Sequence, residues 1–213
     1  FFPAGFYYKT FMWPKSFWYK VYEPFIRKAA GMGKASLDPD PDRYEHRYEH
    51  CDILVVGSGP SGISSALAAA KNGAQVILAE DKPRFGGSLL TDNITIGNKN
   101  GDEWVNDAIA ELRSMPNVIV RGRSQVFGYY DHNMLVMFER CKDHLGNPEI
   151  FTPRQRLWYI RAKQVIISTG SIERPLVFGN NDRPGIMLAS SAKEYLKVYG
   201  VLVGKKPIIF TNN

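Results

Sequence analysis

Between Cys51 and Glu80 the chain sets three glycines ahead of an acid, at a spacing suited to holding a phosphate-bearing ligand. Cys51-Asp-Ile-Leu-Val-Val is an apolar run of strand type, and Gly57-x-Gly59-x-x-Gly62 follows it directly. Ile63 to Lys71 then reads as helix, and a second apolar run, Gln75 to Ala79, ends at Glu80. The start of a helix carries N–H groups without intrahelical partners and a partial positive charge, so a dense anion such as a diphosphate sits there favourably. Side chains would hold the phosphates away. Gly57 permits the tight turn out of the strand, Gly59 lets the main chain approach the anion, and Gly62 lets the helix pack close to the strand. Glu80 stands 23 residues after Gly57. An acid there accepts hydrogen bonds from the adenosine ribose hydroxyls and repels a 2′-phosphate, which favours NAD or FAD over NADP. Arg84 is close enough in sequence to weaken that discrimination.

Strand, glycine turn, helix, second strand and terminal acid together point to a site for the ADP half of a dinucleotide, where the glycine spacing alone would be weak. Its candidate residues are Gly57, Ser58, Gly59, Pro60, Ser61, Gly62, Glu80 and Asp81. A second glycine pair follows the acid in Phe85-Gly86-Gly87-Ser88, as a loop needs when its backbone also approaches a phosphate or ribose; an ordinary turn is the alternative. A later buried run, Gln164-Val-Ile-Ile-Ser, ends in Thr169-Gly170 and is expected to bring that turn beside the cofactor. Gly86, Gly87, Ser88, Thr169 and Gly170 therefore join the candidate set.

The residues offer no convincing general base or nucleophile, so no catalytic residue is assigned. His46 and His50 lie four apart in a polar stretch and read as solvated linker residues rather than metal ligands. His132 and His144 fall in turns. Cys51 and Cys141 form no CxxC pair, which argues against a dithiol or a metal knuckle and fits a reducing, cytoplasmic compartment.

The elements that must position these residues suggest an α/β, Rossmann-like FAD/NAD(P)-binding domain with a parallel sheet and an inserted antiparallel β-meander. Residues 1–50 read as an aromatic-rich extension and a proline-bearing linker, the linker covering 36–50. Lys15 to Ala30 suggests a helix interrupted near Pro24. So many aromatic side chains near the start need a surface to pack on, and protein is favoured over a membrane surface. Residues 51–122 form the first part of the nucleotide-binding domain, with an amphipathic helix over Gly101–Met115 (Trp104, Ala108, Ile109 and Leu112 on one face) and a third strand from Val118. Residues 123–161 alternate in three short runs and read as the inserted meander. Residues 162–188 return to the domain, and 189–213 read as the start of a second, truncated α/β domain: a helix near Ser190–Tyr199, then a strand from Lys206.

The chain has 213 residues and a net charge of +6, without a Lys/Arg run that would favour nucleic acid. Its apolar stretches fall short of the roughly 20 residues needed to span a bilayer. It starts at Phe1 rather than Met and stops after an apolar run, so both ends read as cut from a longer polypeptide.

The order GxGxxG, acid, Gly-Gly and Thr-Gly resembles the glutathione-reductase-like flavoproteins with two dinucleotide-binding domains. More specific stretches resemble the alpha subunits of heterotetrameric sarcosine oxidases: the opening Phe2-Pro-Ala-Gly-Phe-Tyr-Tyr-Lys-Thr-Phe-Met-Trp-Pro14, Gly86-Gly-Ser-Leu-Leu90, and Gly170-Ser-Ile-Glu-Arg-Pro-Leu-Val-Phe-Gly-Asn-Asn-Asp-Arg-Pro-Gly185. The closing Phe210-Thr-Asn-Asn also fits, where the wider superfamily would show a second glycine fingerprint. This resemblance implies an oxidoreductase acting on CH–NH donors. Such enzymes oxidatively demethylate sarcosine to glycine with O2 and tetrahydrofolate, giving H2O2 and methylene-tetrahydrofolate. It further implies noncovalent NAD in this fold, FAD and covalent FMN on a partner beta subunit, and further subunits of a hetero-oligomer. The fragment alone would lack a complete active site. The alternative is an FAD-dependent pyridine-nucleotide-type oxidoreductase or an amine dehydrogenase subunit.

Overall fold

In the computed structural model, residues 11, 13–33 and 35–211 are described. They fall into two compact units divided between Pro41 and Asp42. In the first, a π-helical turn over Trp18–Tyr22 runs into helix α1 (Glu23–Ala29). The helical backbone runs on from Tyr22 into Glu23 and changes from π to α there, beside Pro24, where the sequence predicts an interruption. Tyr22 packs edge-on against Phe11 with ring centroids 5.4 Å apart, yet neither helical segment buries a residue and Trp13, Tyr19 and Phe25 stay exposed. The strongly aromatic residues 1–10 lie outside the described residues.

The second unit is built on one six-stranded sheet. Its strands are β1 (Tyr44–Val56), β2 (Val76–Ala79), β5 (Val118–Arg121), β6 (Ser124–Tyr130), β7 (Met134–Arg140) and β8 (Gln155–Ile167), while β3 (Thr95–Ile96) and β4 (Lys99–Asn100) form a separate short hairpin. The order across the sheet is β5-β2-β1-β8-β7-β6. β5, β2, β1 and β8 run parallel, whereas β6, β7 and β8 form an antiparallel meander.

Both faces of the central strands are buried, as expected of parallel strands with apolar runs on successive residues. Val55 and Leu78 point to one face, where α2 (Pro60–Lys71) contributes Ile63, Ala66 and Ala70 and α3 (Gly101–Ser114) contributes Val105, Ala108, Ile109 and Leu112. Their neighbours Leu54 and Ile77 point to the other, meeting Leu135 and Met137 of β7 and Trp158 and Ile160 of β8. α3 starts on a capping box: Asn100 Oδ1 accepts from the Glu103 N–H at 2.9 Å, and Glu103 Oε2 accepts from the Asn100 N–H at 3.2 Å. It ends before Pro116, which forces Met115 into an extended conformation.

Three expectations change. The polar stretch 36–50 is not linker throughout, because β1 begins at Tyr44 and His46 lies on it with its ring stacked on Tyr159 of β8, centroids 5.9 Å apart. The last strand of the meander and the returning strand of the nucleotide-binding domain are one element, β8, which pairs with β1 from Tyr44↔Gln155 to Val56↔Ile167. The meander therefore extends the parallel sheet through a shared strand. Beyond α4 (Ala189–Tyr199), residues 206–211 form no strand; Ile208 and Ile209 are exposed and have no sheet edge to join among the described residues. Among the described residues no helix is long and apolar enough to cross a membrane.

Leu78 is wholly buried between β2 and the two helices. Leu78→Ala in the full-length chain should lower unfolding free energy by about 2–5 kcal/mol, read as a shift in denaturant midpoint. An unchanged midpoint would mean that this layer is not the core.

Candidate functional site

The carboxyl ends of β1, β2 and β8 bring three loops together. Gly57 leaves β1 with φ +97°, donating its N–H to the Ala79 carbonyl at 2.8 Å. A side chain there would run into the Ser168 carbonyl, at the point where β8 ends and the Ser168 N–H is bonded to the Val56 carbonyl at 2.8 Å. Gly62, in the first turn of α2, lies against the Gly57 carbonyl, and a methyl group would overlap it. These two glycines close the strand–turn–helix junction from inside.

Gly59 has a different setting. It is the N-cap of α2, no side chain caps that terminus, and a Cβ added to it would meet nothing within 4 Å. Pro60 follows at the first helical position and Ser61 is exposed. The helix start thus presents bare main chain to open space. Gly87 borders the same space, since a Cβ there would come within 2.9 Å of the Gly59 Cα. Gly86 donates its N–H to the Ser58 carbonyl at 3.0 Å, and a short 3-10 turn runs from Gly87 through Ser88 to Leu90. The glycine pair is therefore docked on the first glycine turn.

Glu80 directly follows β2 and is almost completely buried. Its Oε2 accepts from the Ser58 N–H at 2.8 Å and from the Ser58 Oγ–H at 2.5 Å, and its Oε1 accepts from the Lys82 N–H at 3.0 Å. Burial first, and the neighbouring Asp81 carboxyl second, push the Glu80 carboxyl above the usual carboxylate range, while the donors on Ser58 and Lys82 oppose that rise. Asp81 is exposed, and Arg140 Nη2 donates to its carbonyl at 2.6 Å. Thr169 and Gly170 follow Ser168 and are exposed, Gly170 with φ +71°.

Gly57 to Gly62, Glu80 and Gly86-Gly87 thus converge, and Ser168 leads Thr169-Gly170 to the same junction. The contact with Gly57 is made by Ser168, one residue before the turn that the sequence singled out. Ser168 carries no sequence signal beyond ending an apolar run. Lys82 also went unremarked, because its part is played by a backbone N–H that composition does not reveal. The arrangement fits a diphosphate: an uncapped helix start faces open space, glycines border it, and an acid stands at the end of the adjacent strand.

A mostly parallel sheet with this glycine turn at its carboxyl edge is a Rossmann-like arrangement of the kind found in FAD-dependent oxidoreductases. Residues 52–137 match the family described as FAD dependent oxidoreductase. The L-proline dehydrogenase of P. horikoshii shares the fold, with a TM-score of 0.60 at 24% identity over 80% of this chain and 32% of that one.

More particularly, the chain is homologous over nearly its whole length to the alpha subunits of sarcosine oxidase. It is 52% identical over 210 residues to the sarcosine oxidase subunit alpha of Rhizobium meliloti (strain 1021), covering 99% of this chain. It is 40% identical over 185 residues to that of Corynebacterium sp. (strain P-1), covering 86% of this chain. It spans 21% and 19% of those relatives' lengths.

The two glycine settings should separate experimentally. Gly62→Ala should cost about 2–3 kcal/mol of stability through the backbone overlap. Gly59→Ala should cost only about 0.5–1 kcal/mol, as a poorer N-cap, while weakening dinucleotide binding. Thermal melts of both full-length variants check this, and equal losses would contradict the open setting of Gly59.

Proposed function

We propose that the chain is the NAD-binding part of the alpha subunit of a multisubunit sarcosine oxidase. The observation that carries this reading is the acid at the end of β2 beside an uncapped, glycine-bordered helix start. The 52% identity to a sarcosine oxidase alpha subunit supports the assignment to that enzyme. In this proposal the diphosphate sits on the main chain of Gly59 and Ser61, and Gly86-Gly87 closes its other side. Glu80 accepts a hydrogen bond from the adenosine ribose, and the exposed turn Thr169-Gly170 and Ser88 border the rest of the nucleotide.

The assembled enzyme would oxidise the methylamine carbon of sarcosine, releasing glycine, with O2 as electron acceptor and tetrahydrofolate as carbon acceptor. A bound dinucleotide of the nicotinamide type supplies hydride chemistry. This chain's own residues bind and orient it, and the oxidising FAD and covalent FMN are assigned to a beta subunit within a hetero-oligomer. A cytoplasmic location agrees with two cysteines that are both free. Burial pushes the Cys51 thiol up to about 12 and the Cys141 thiol up to about 11, which keeps both from acting as nucleophiles at neutral pH.

The family match over residues 52–137 favours a second reading, in which the same cradle holds FAD. Both cofactors share the ADP half that the glycines and Glu80 address. Heat release of the nucleotide from the full-length, separated alpha subunit, followed by mass measurement, decides between them. NAD is expected, with no visible absorption; a yellow flavin of FAD mass would establish the second reading, and no nucleotide would sink both.

Glu80→Ala should weaken nucleotide binding by about 1–3 kcal/mol, because it leaves buried donors unmatched as well as the ribose hydroxyl. Calorimetric titration of the nucleotide-free protein checks this, and an unchanged affinity would remove Glu80 from the site.

A further inference from the structure

Ser58 has no side-chain surface to offer a ligand. It is wholly buried, and its three polar atoms are turned inward. Its N–H and Oγ–H both donate to one oxygen of Glu80, at 2.8 and 2.5 Å, and its carbonyl accepts the Gly86 N–H at 3.0 Å. The Gly86 N–H also lies 3.4 Å from Ser58 Oγ. One small side chain thus ties the acid to both glycine loops.

The consequence for Glu80 follows from its lone pairs. A carboxylate has about four acceptor sites, two on each oxygen. Ser58 occupies both sites on Oε2, and Lys82 occupies one on Oε1. One acceptor site remains on Oε1, with the Asp81 carboxyl beside the same group, and the Ser58 hydroxyl fixes the carboxylate plane that aims it. We infer that Ser58 is a positioning residue for ribose recognition: its hydroxyl locks Oε2 of Glu80 so that Oε1 alone receives a ribose hydroxyl.

This rests on the reading of the cradle as a dinucleotide site. The hydroxyl acts through Glu80 and never touches the nucleotide. It also favours the charged form of Glu80 against burial and against Asp81. The other charged groups facing this carboxyl are Lys82, whose Nζ pairs with Glu194 of α4 at 2.9 Å, and Arg140, which is bonded to the Asp81 carbonyl. Among the described residues no lysine or arginine side chain is hydrogen-bonded to the Glu80 oxygens, and the Ser58 hydroxyl is the side-chain donor that holds them.

The test titrates nucleotide-free full-length protein with two probes, ADP-ribose and its analogue lacking the 2′- and 3′-hydroxyls of the adenosine ribose. Wild type should prefer ADP-ribose. Ser58→Ala should weaken ADP-ribose roughly ten- to a hundredfold, the range of a hydrogen bond to a charged group, and leave the dideoxy probe within about twofold. Affinity should fall as pH drops through the Glu80 titration, because the protonated carboxyl no longer accepts as a carboxylate. Removing the hydroxyl should move that fall to higher pH, while Ser58→Thr, which keeps a hydroxyl, should restore the wild-type profile. Where the alanine variant fails to fold, Ser58→Cys, with a weak donor of similar size, should show the same discrimination loss in milder form. Equal weakening of both probes, or an unmoved pH profile, would overturn the positioning role and leave Ser58 a structural tie. A wild type that binds neither probe would instead overturn the dinucleotide reading, and this inference with it.

Discussion

The carboxylate of Glu80 is the joint on which the site depends. It is buried at the end of β2, and it is held there by donors from the glycine turn after β1 and from the loop that leads to the second glycine pair. A buried carboxylate without donors is strongly disfavoured. The fold therefore has to bring Ser58 and the Lys82 backbone to it, and doing so sets the positions of both loops. Gly57 and Gly62 allow this closeness because their missing side chains leave room for the Ser168 and Gly57 carbonyls. Gly59 plays another part, since the space in its Cβ direction is open and, in the proposed function, is left for a ligand.

The parts of this arrangement that a short window of residues determines were legible in the sequence. α3 combines an apolar face with a capping box and a terminating Pro116, so its limits follow from local chemistry. The strand–turn–helix unit was legible because glycine spacing, flanking apolar runs and a terminal acid constrain one another. Parts that depend on distant partners were not. Residues 44–50 are polar and look like linker, yet β8 offers them a parallel edge and draws them into β1. The last run of the 123–161 meander and the run from Gln164 to Ser168, read as separate strands, join in β8 because β1 pairs with both. The apolar run at 208–210 has strand composition but pairs with no strand among the described residues and stays exposed. The importance of Lys82 and Ser168 is carried by main-chain atoms, which residue type does not disclose.

The exposed apolar residues lie largely outside the sheet and the two helices packed on it. The buried core lies in the sheet and its two helices, whereas α4 buries no residue and Ile172, Val177 and Ile208 are exposed. α4 is held mainly by polar contacts: Lys82 with Glu194, Lys193 with Asp92, and Lys197 with Asn93 at 2.9 Å. Those partners lie on the loop that follows Glu80.

The most direct test of the account is a crystal structure of the full-length protein with its nucleotide bound. The account requires the diphosphate over the main chain of Gly59 and Ser61 at the start of α2, with a single ribose hydroxyl on Oε1 of Glu80. A nucleotide bound elsewhere, or that space filled by a side chain of the same polypeptide, would contradict it.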